Sequence, residues 1–308
     1  MMQAIKTKPS FLALIRARIK WPNVDYAIAL LPLIIWATLL FGTQVLLITI
    51  ISIATALLVE MLLSLIFKMP SVNNLSSALV LALLVVCLLP PNPPLWIPAA
   101  TVGIASLIKI IVNRMFNLGI VSPTIASIMI MTLAFPTEMT VLNAQGVPAL
   151  TPLGYLSLEI LPEITTETLV FGLHYGFIGE ISIFLIGLSL IYLLVRKVIT
   201  WHIPATFIGA AVLFAYALPH PELNPHLYLP AAILSGTLIF GAVFLATDYS
   251  ITPKHPIGKL AFGLIAGFST MLIRRYTSIE EGVLITLLIL GLLTPIFDYI
   301  FKPKQFAK

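Results

Sequence analysis

Two carboxylates stand in runs that otherwise read as hydrocarbon. Glu60 lies late in an apolar stretch, between Val59 and Met61, and Asp248 closes another at Phe244-Leu245-Ala246-Thr247-Asp248. An ionisable group at the centre of a membrane span costs roughly 2.5–3.5 kcal/mol on insertion scales, so each is a functional candidate. A carboxylate offers hard oxygen ligands to Na+ or a titratable proton. Glu60 and Asp248, one from each half of the chain and toward the same side, read together as an ion-pathway pair that takes up Na+ or H+. Two plainer readings stand beside this one. Asp248 would satisfy loop N–H groups at a helix end, and Glu60 would pair with Lys68 or reach the interface. Asp298 and Glu180 sit nearer run ends and read as helix anchors.

Other chemistry is sparse. Cys87 is the single cysteine, so it forms no internal disulfide and reads as a small packing residue. His174, His202, His220, His226 and His255 fall mostly at segment ends. No Cys/His set has metal-ligand spacing, so no metal site is expected. Trp21, Trp36, Trp96 and Trp201 lie mostly near run ends and read as an interfacial belt.

The elements that hold these residues follow from composition. Of 308 residues, 59% are hydrophobic and 9% charged. An ordinary soluble domain carries about 25% charged residues. Lipid is therefore the solvent, and every backbone polar group inside it needs an internal partner. The apolar runs are non-alternating and long enough for helices rather than barrel strands. The net charge of +5 is spread over short loops, which argues against a nucleic-acid face. No cleavable signal peptide is expected, because the basic start runs into Asp25 and a full-length apolar run.

Ten spans are expected, near 25–41, 45–67, 75–89, 96–112, 121–135, 180–195, 202–218, 228–247, 258–273 and 282–301. Pro and Gly punctuate their ends, as at Pro90-Pro91-Asn92-Pro93-Pro94 and Pro219-His220-Pro221. With the N-terminus inside, all of the 17 Lys and Arg residues except Arg274 and Arg275 fall on the inside. That gives an N-in, C-in topology in which Lys109 and Arg114 count with the inside segments. Residues 1–22 read as an amphipathic helix on the cytoplasmic lipid surface, with Lys6, Lys8, Arg16, Arg18 and Lys20 among apolar residues. The loop 136–179 is outside. It carries Glu138, Glu159, Glu163 and Glu167 and no Lys or Arg. Pro148 and Pro152 make part of it irregular, and 153–163 reads as a short helix along the surface.

The halves look related. Ser76-Ser77-Ala78-Leu79 and Ser235-Gly236-Thr237-Leu238 open runs of equal length, and Phe135-Pro136 and Thr294-Pro295 close each half. Five spans per half is odd, so the second copy is inverted. The division is 1–22, first repeat 23–135, loop 136–179, second repeat 180–304 and tail 305–308. Inverted repeats commonly hold a substrate or ion site between them. The alternative is a chance likeness of Leu/Ile-rich runs.

Four stretches carry a family resemblance. Phe244-Leu245-Ala246-Thr247-Asp248 is followed by Thr252-Pro253, Gly258 and Phe262-Gly263. Glu281-Gly282-Val283 leads to Thr294-Pro295-Ile296-Phe297-Asp298 and Lys302-Pro303. Ser122-Pro123-Thr124 leads to Phe135-Pro136-Thr137-Glu138-Met139-Thr140. Leu89-Pro90-Pro91 leads to Leu95-Trp96-Ile97-Pro98. In this order, across roughly residues 25–304, they resemble the RnfD/NqrB family, membrane subunits of ion-pumping electron-transfer complexes of the Rnf and Nqr types.

The resemblance implies ten helices in two inverted five-helix halves. It also implies FMN joined through phosphate to a threonine in the outer loop, and riboflavin or another non-covalent flavin in the membrane. The matching threonine is Thr151, in Pro148-Ala149-Leu150-Thr151-Pro152-Leu153. The family has Ser, Gly or Ala, and Ala where this chain has Pro148, Ala149 and Leu150, and an upstream Asp where it has Gln145. Asn113-Arg114-Met115-Phe116-Asn117-Leu118-Gly119 stands where the family is Gly-rich, which marks a diverged branch with an altered ligand or partner surface. Glu60 and Asp248 both match acidic positions of the family. The plain alternative for Thr151 is a loop residue opening a turn before Pro152.

The expected function is that of a non-autonomous membrane subunit of an Rnf/Nqr-type complex in the inner (cytoplasmic) cell membrane. It would pass electrons through flavin between an outer-face flavoprotein and a cytoplasmic or quinone partner, coupled to Na+ or H+ movement. Its partners would be the other membrane and flavoprotein subunits. The alternatives are a cofactor-free transporter or channel for a small solute, and a scaffold subunit of the same fold.

Overall fold

Apolar sequence of this density leaves the backbone no partner but itself, and helices result. A computed structural model describes residues 22–66, 72–115, 120–143, 146–162, 164–218, 224–277 and 282–301. The expected amphipathic segment 1–22 (but for Pro22), Lys68, Phe116–Gly119, Gln145, Glu163, His220 and the tail 305–308 lie outside the described residues. Regular structure among the described residues is helical, apart from one isolated bridge between Leu142 and Pro148.

The helices of the first half are α1 (Pro22–Phe41), α2 (Thr43–Ile66), α3 (Val72–Cys87), α4 (Trp96–Ile108) and α5 (Pro123–Ala134). A π-helical stretch, Lys109–Met115, prolongs α4. The loop 136–179, expected outside, contributes α6 (Pro152–Ser157) and α7 (Thr166–Phe171). The second half holds α8 (Ile183–Val195), α9 (His202–Ala217), α10 (Pro225–Leu234), α11 (Leu238–Phe240), α12 (Pro256–Tyr276) and α13 (Gly282–Ile300). A π turn, Gly241–Leu245, prolongs α11. Local chemistry sets several starts. Thr151, Thr165 and Ser182 cap α6, α7 and α8 by accepting N–H bonds from Gly154, Thr168 and Leu185. Pro123, Pro152 and Pro256 sit in first turns, where no N–H is needed.

Four helices are long and apolar enough to cross a membrane: Asn23–Phe41, Thr43–Ile66, Pro256–Tyr276 and Gly282–Ile300. α10 and α11 together form a fifth candidate, bent by 49°. The other apolar helices are shorter. On α1, Ile28, Leu31, Ile35 and Leu39 are exposed at helical spacing while Leu30, Leu33 and Ala37 are buried. An apolar exposed stripe of this kind belongs against lipid. The chain is a multi-pass membrane protein.

The helix that carries Lys109 runs on past the expected end near 112, to Met115. Two expectations need correction. The run 228–247 is not one straight helix, because Gly236, with φ of +66°, breaks it. The surface helix expected over 153–163 ends at Ser157. Glu159 there adopts a positive φ and Pro162 follows, while a second short helix occupies Thr166–Phe171.

The second and fourth helices of each half pack together, α2 on α4 and α9 on α12. The α9–α12 pair is the closest. A Cβ added to Gly267 would lie 2.2 Å from the Phe207 carbonyl oxygen, and one added to Gly263 would lie 2.8 Å from that of Ile203. Two glycines four residues apart thus let the backbones touch. Between halves, α1 packs on α8 and α5 on α13.

Candidate functional site

Glu60 faces inward because of its register. Val45, Ile48, Thr49, Ser52, Ala56 and Glu60 form one buried stripe along α2. On α4 the buried stripe includes Thr101, Ala105 and Ser106, and Lys109 continues it three and four residues on. α3 packs on the same side of α2 and supplies Ser77. The result is one group from each of three helices. The Lys109 ammonium lies 3.0 Å from Glu60 Oε2 and 2.8 Å from Ser77 Oγ. Glu60 bonds Lys109, while the expected partner Lys68 lies outside the described residues, and the carboxylate is buried rather than reaching the interface.

Asp248 is held from two directions. Its Oδ1 accepts the Ser250 amide at 3.1 Å, which is the plain helix-end role. Its Oδ2 accepts the Ser122 hydroxyl at 2.7 Å, which reaches across from the first half. Ser122 sits at the N-cap position of α5, yet its side chain makes no cap bond there. It serves the carboxylate instead. The Tyr26 hydroxyl lies 2.7 Å from Thr247 Oγ1 and 3.2 Å from the Phe244 carbonyl oxygen. Thr247 gives its own hydrogen to the Val243 carbonyl at 2.6 Å, so the single Tyr26 hydrogen is shared between Thr247 Oγ1 and the Phe244 carbonyl.

Two cavities, of about 300 and 390 Å3, adjoin at this end. Both are lined by Asn23, Val80, Leu84, Asp248 and Tyr249. The larger also takes in Lys109 and Ser77, and the smaller takes in Tyr26, Thr247 and Lys259. Asp248 therefore sits between them. Glu60 is tied to the larger through Lys109, which lines that cavity together with Ser77 and Asp248. Nearby, Asp25 is buried and paired with Arg196 at 3.0 Å, joining α1 to α8. Asp298 accepts the Lys254 amide at 2.8 Å, the anchoring role expected of it.

Thr151 lies in the outer loop, half-buried, at the N-cap of α6. Its Oγ1 accepts the Gly154 amide at 3.0 Å. The next turn is seated on the break of the bent span: a Cβ added to Gly236 would lie 2.6 Å from Leu153 Cδ2. Glu180, before α8, is buried and accepts the Phe177 amide at 3.1 Å. In the same loop, burial holds the His174 imidazole below the usual histidine range. Among the described residues no group of three or more His, Cys, Asp or Glu forms a metal site.

Lys109, Ser122 and Tyr26 are not among the candidates that sequence alone singles out. Lys109 carries the same signal as Glu60, a charge beside apolar residues, but it stands where the run reads as ending. Ser122 and Tyr26 carry none, because a hydroxyl near a span end is unremarkable until its partner is known.

Known proteins match along nearly the whole chain. The model of the NQR2, RnfD, RnfE family matches residues 10–307. The subunit lettered D of the Na(+)-translocating ferredoxin:NAD(+) oxidoreductase complex of Acetobacterium woodii is 29% identical, covering 91% of this chain and 88% of the relative. The subunit of the same letter in the proton-translocating ferredoxin:NAD(+) oxidoreductase complex of Clostridium ljungdahlii is 29% identical, covering 94% and 92%. That of the ion-translocating oxidoreductase complex of Aliivibrio salmonicida is 26% identical, covering 91% and 92%.

Proposed function

This chain belongs to the NQR2, RnfD, RnfE family, and on that footing we propose that it is a membrane subunit of an ion-translocating electron-transport complex in the cytoplasmic membrane. Its partners are the other subunits of that complex, and the translocated ion is Na+ or H+. The observation that carries the reading is the paired arrangement at one end of the bundle. A buried carboxylate–lysine pair and a second carboxylate, drawn from the two halves, border the same cavity. A carboxylate beside a cavity, with a buried carboxylate–lysine pair at its edge, suits uptake of a small cation.

Ten crossings in two inverted halves, with both termini inside, is the architecture proposed for this function. The helix pairings support it. A two-fold relation demands that equivalent helices meet each other across the axis. First helix meets first helix in α1–α8, and fifth meets fifth in α5–α13. The second-on-fourth packing recurs in both halves.

Thr151 is the residue proposed to carry flavin, as FMN joined through a phosphoester. The hydroxyl suits that bond. Oγ1 accepts a hydrogen bond from Gly154, and its own proton is given to no partner among the described residues. Esterification removes that proton and breaks no hydrogen bond. A flavin held there supplies one- and two-electron transfer, while the chain contributes position and electrostatics. The departures at Pro148, Ala149 and Leu150 favour a second reading, a scaffold or transport subunit without covalent flavin. Intact-mass analysis of the membrane-expressed chain, with and without Thr151→Ala, separates the two. An FMN adduct lost in the variant supports the redox role. A bare mass in the wild type removes the covalent flavin. An adduct that survives moves it, with Thr137 and Thr140 the next candidates.

A further inference from the structure

The bent span has a polar lining that the inner cavities do not use. α10 stops at Leu234, and the chain turns through Ser235, Gly236 and Thr237 before α11 begins. Carbonyls at the end of a helix inside a membrane need partners, and in broken helices such carbonyls coordinate cations. Here the partner is a side chain. Arg274 Nη1 donates to the carbonyl oxygens of Ala232 at 3.1 Å and Ser235 at 3.4 Å. The guanidinium is wedged in place: a Cβ added to Gly236 would lie 3.0 Å from Arg274 Nη2.

The same neighbourhood holds hydroxyls in excess of what packing uses. Ser235, Thr270 and Thr286 are all but fully buried, and their hydroxyl oxygens find no hydrogen-bond partner among the described residues. Thr270 lies one turn from Arg274 on α12. Gly282, one turn before Thr286 on α13, rests against the Thr270 carbonyl and the Arg274 side chain. Two carbonyls and the Ser235 hydroxyl gather at the break, and Thr270 and Thr286 add two unpartnered hydroxyls on the helix that supplies Arg274 and on its neighbour. Hard oxygen donors of this kind suit a small monovalent cation. Arg274 is also, with Arg275, one of only two basic residues that the topology places outside.

We propose that the break of the bent span is an outer seat for the translocated monovalent cation, and that the Arg274 guanidinium is a tethered cation that keeps this seat closed in the structure described. A fixed positive charge bonded to the seat carbonyls excludes a free cation by occupying its ligands and repelling it. The proposal rests on the ion-translocating reading above, but its test does not pass through flavin or partner subunits. Seat and plug make separate demands on Arg274. Sealing requires charge, whereas capping the helix end requires only an N–H donor.

The full chain is purified and reconstituted into liposomes, and passive 22Na+ uptake is followed with choline as the control ion. Arg274→Gln keeps an N–H donor and removes the charge. Arg274→Lys keeps the charge. The expected result is a several-fold rise in Na+ uptake for Arg274→Gln, with Arg274→Lys close to wild type. The thermal midpoint of Arg274→Gln should also rise with NaCl relative to choline chloride at equal ionic strength, while the wild type shows no such difference. Equal, tight membranes for all three chains overturn the proposal, as does a leak of equal size in both variants, which signals lost packing. Where Arg274→Gln does not fold, Arg274→Cys takes its place, and Na+ uptake that does not fall when a cationic methanethiosulfonate reagent restores the positive charge there also overturns the plug. Electron transfer by the assembled complex, assayed separately, reports on the parent reading, so the two fail independently.

Discussion

Replacing Lys109 with methionine isolates the buried pair at the inner end. The ammonium and carboxylate stand 3.0 Å apart, with side chains 19% and 2% exposed. At an effective dielectric of about 20, that separation gives roughly 5–6 kcal/mol of gross attraction. Most of it is offset by the desolvation of both groups, so the net worth of the pair is far smaller. Removing one partner is different. It leaves the buried carboxylate facing methionine, and such single deletions cost about 3–5 kcal/mol. Glu60→Gln in the same background takes away the stranded charge while keeping the shape. Lys109→Met/Glu60→Gln should therefore recover much of the loss and end within about 1–2 kcal/mol of wild type. Even with no loss counted for Glu60→Gln alone, the coupling in the double-mutant cycle is then at least roughly 2–3 kcal/mol, well above the 0.3–0.5 kcal/mol scatter of independent sites. Reversible denaturant unfolding of the four detergent-solubilised chains measures it. Additive losses would show that the contact does not organise this end of the bundle.

Four further outcomes are expected. Gly267→Ala should destabilise the chain by about 1–3 kcal/mol, because the added Cβ meets the immovable Phe207 backbone; the same denaturant titration reads it, and an unchanged midpoint contradicts the packing. Asp248→Asn keeps acceptor oxygen for Ser122 and Ser250 but removes the charge, so Na+- or H+-coupled uptake by the complex should fall much more than the stability of the chain. Thr151→Ala, beyond any change in adduct mass, should cost α6 about 1 kcal/mol by loss of the N-cap, seen as faster hydrogen exchange at Gly154. His174 titrates below its unfolded value, so the unfolded state takes up the proton first as pH falls. Its contribution to folding is present above about pH 6.5 and is lost as pH drops through the folded value. Chymotryptic cleavage of the outer loop should rise below that point and lose its pH dependence in His174→Gln.

The helices are legible in the sequence because one physical rule governs them: apolar runs in lipid have no other solution. Where sequence falls short, tertiary partners decide. Lys109 reads as a charge near a span end until α2 supplies a carboxylate and α3 a hydroxyl for it. The run through Ser235–Thr237 matches its counterpart in the first half as a string of small polar and apolar residues, yet only Gly236 adopts a positive φ, and that requires Leu153 and Arg274 to be in place. The outer loop hides a second short helix because its boundaries depend on Thr165 and Gly172, each a weak local signal. The candidate carboxylates stand out by cost alone. Their bonding to Ser122 and Lys109, residues far away in sequence, does not.

Among the described residues, several irregular stretches lie where another element meets the freed carbonyls. Across the π turn of α11, Ala246 bonds back to Gly241 instead of Ala242. Thr247 then takes the Val243 carbonyl, Tyr26 takes that of Phe244, and Thr252 takes that of Ala246. Further along, Thr294 takes the Ile251 carbonyl, and at the break Arg274 takes those of Ala232 and Ser235. The end of α3 is treated alike, with its Cys87 and Leu89 carbonyls accepting the Gly179 and Ile178 amides of the loop before α8. A regular helix would need none of these donors. In lipid each would be an avoidable polar burial, so a span that keeps them gains something other than stability. That distribution explains why both inner carboxylates and the Arg274 cluster lie on or beside the same few segments. Backbone oxygens can be offered to an ion only where the helix has been opened, and hydroxyls that satisfy them at rest can yield them one at a time.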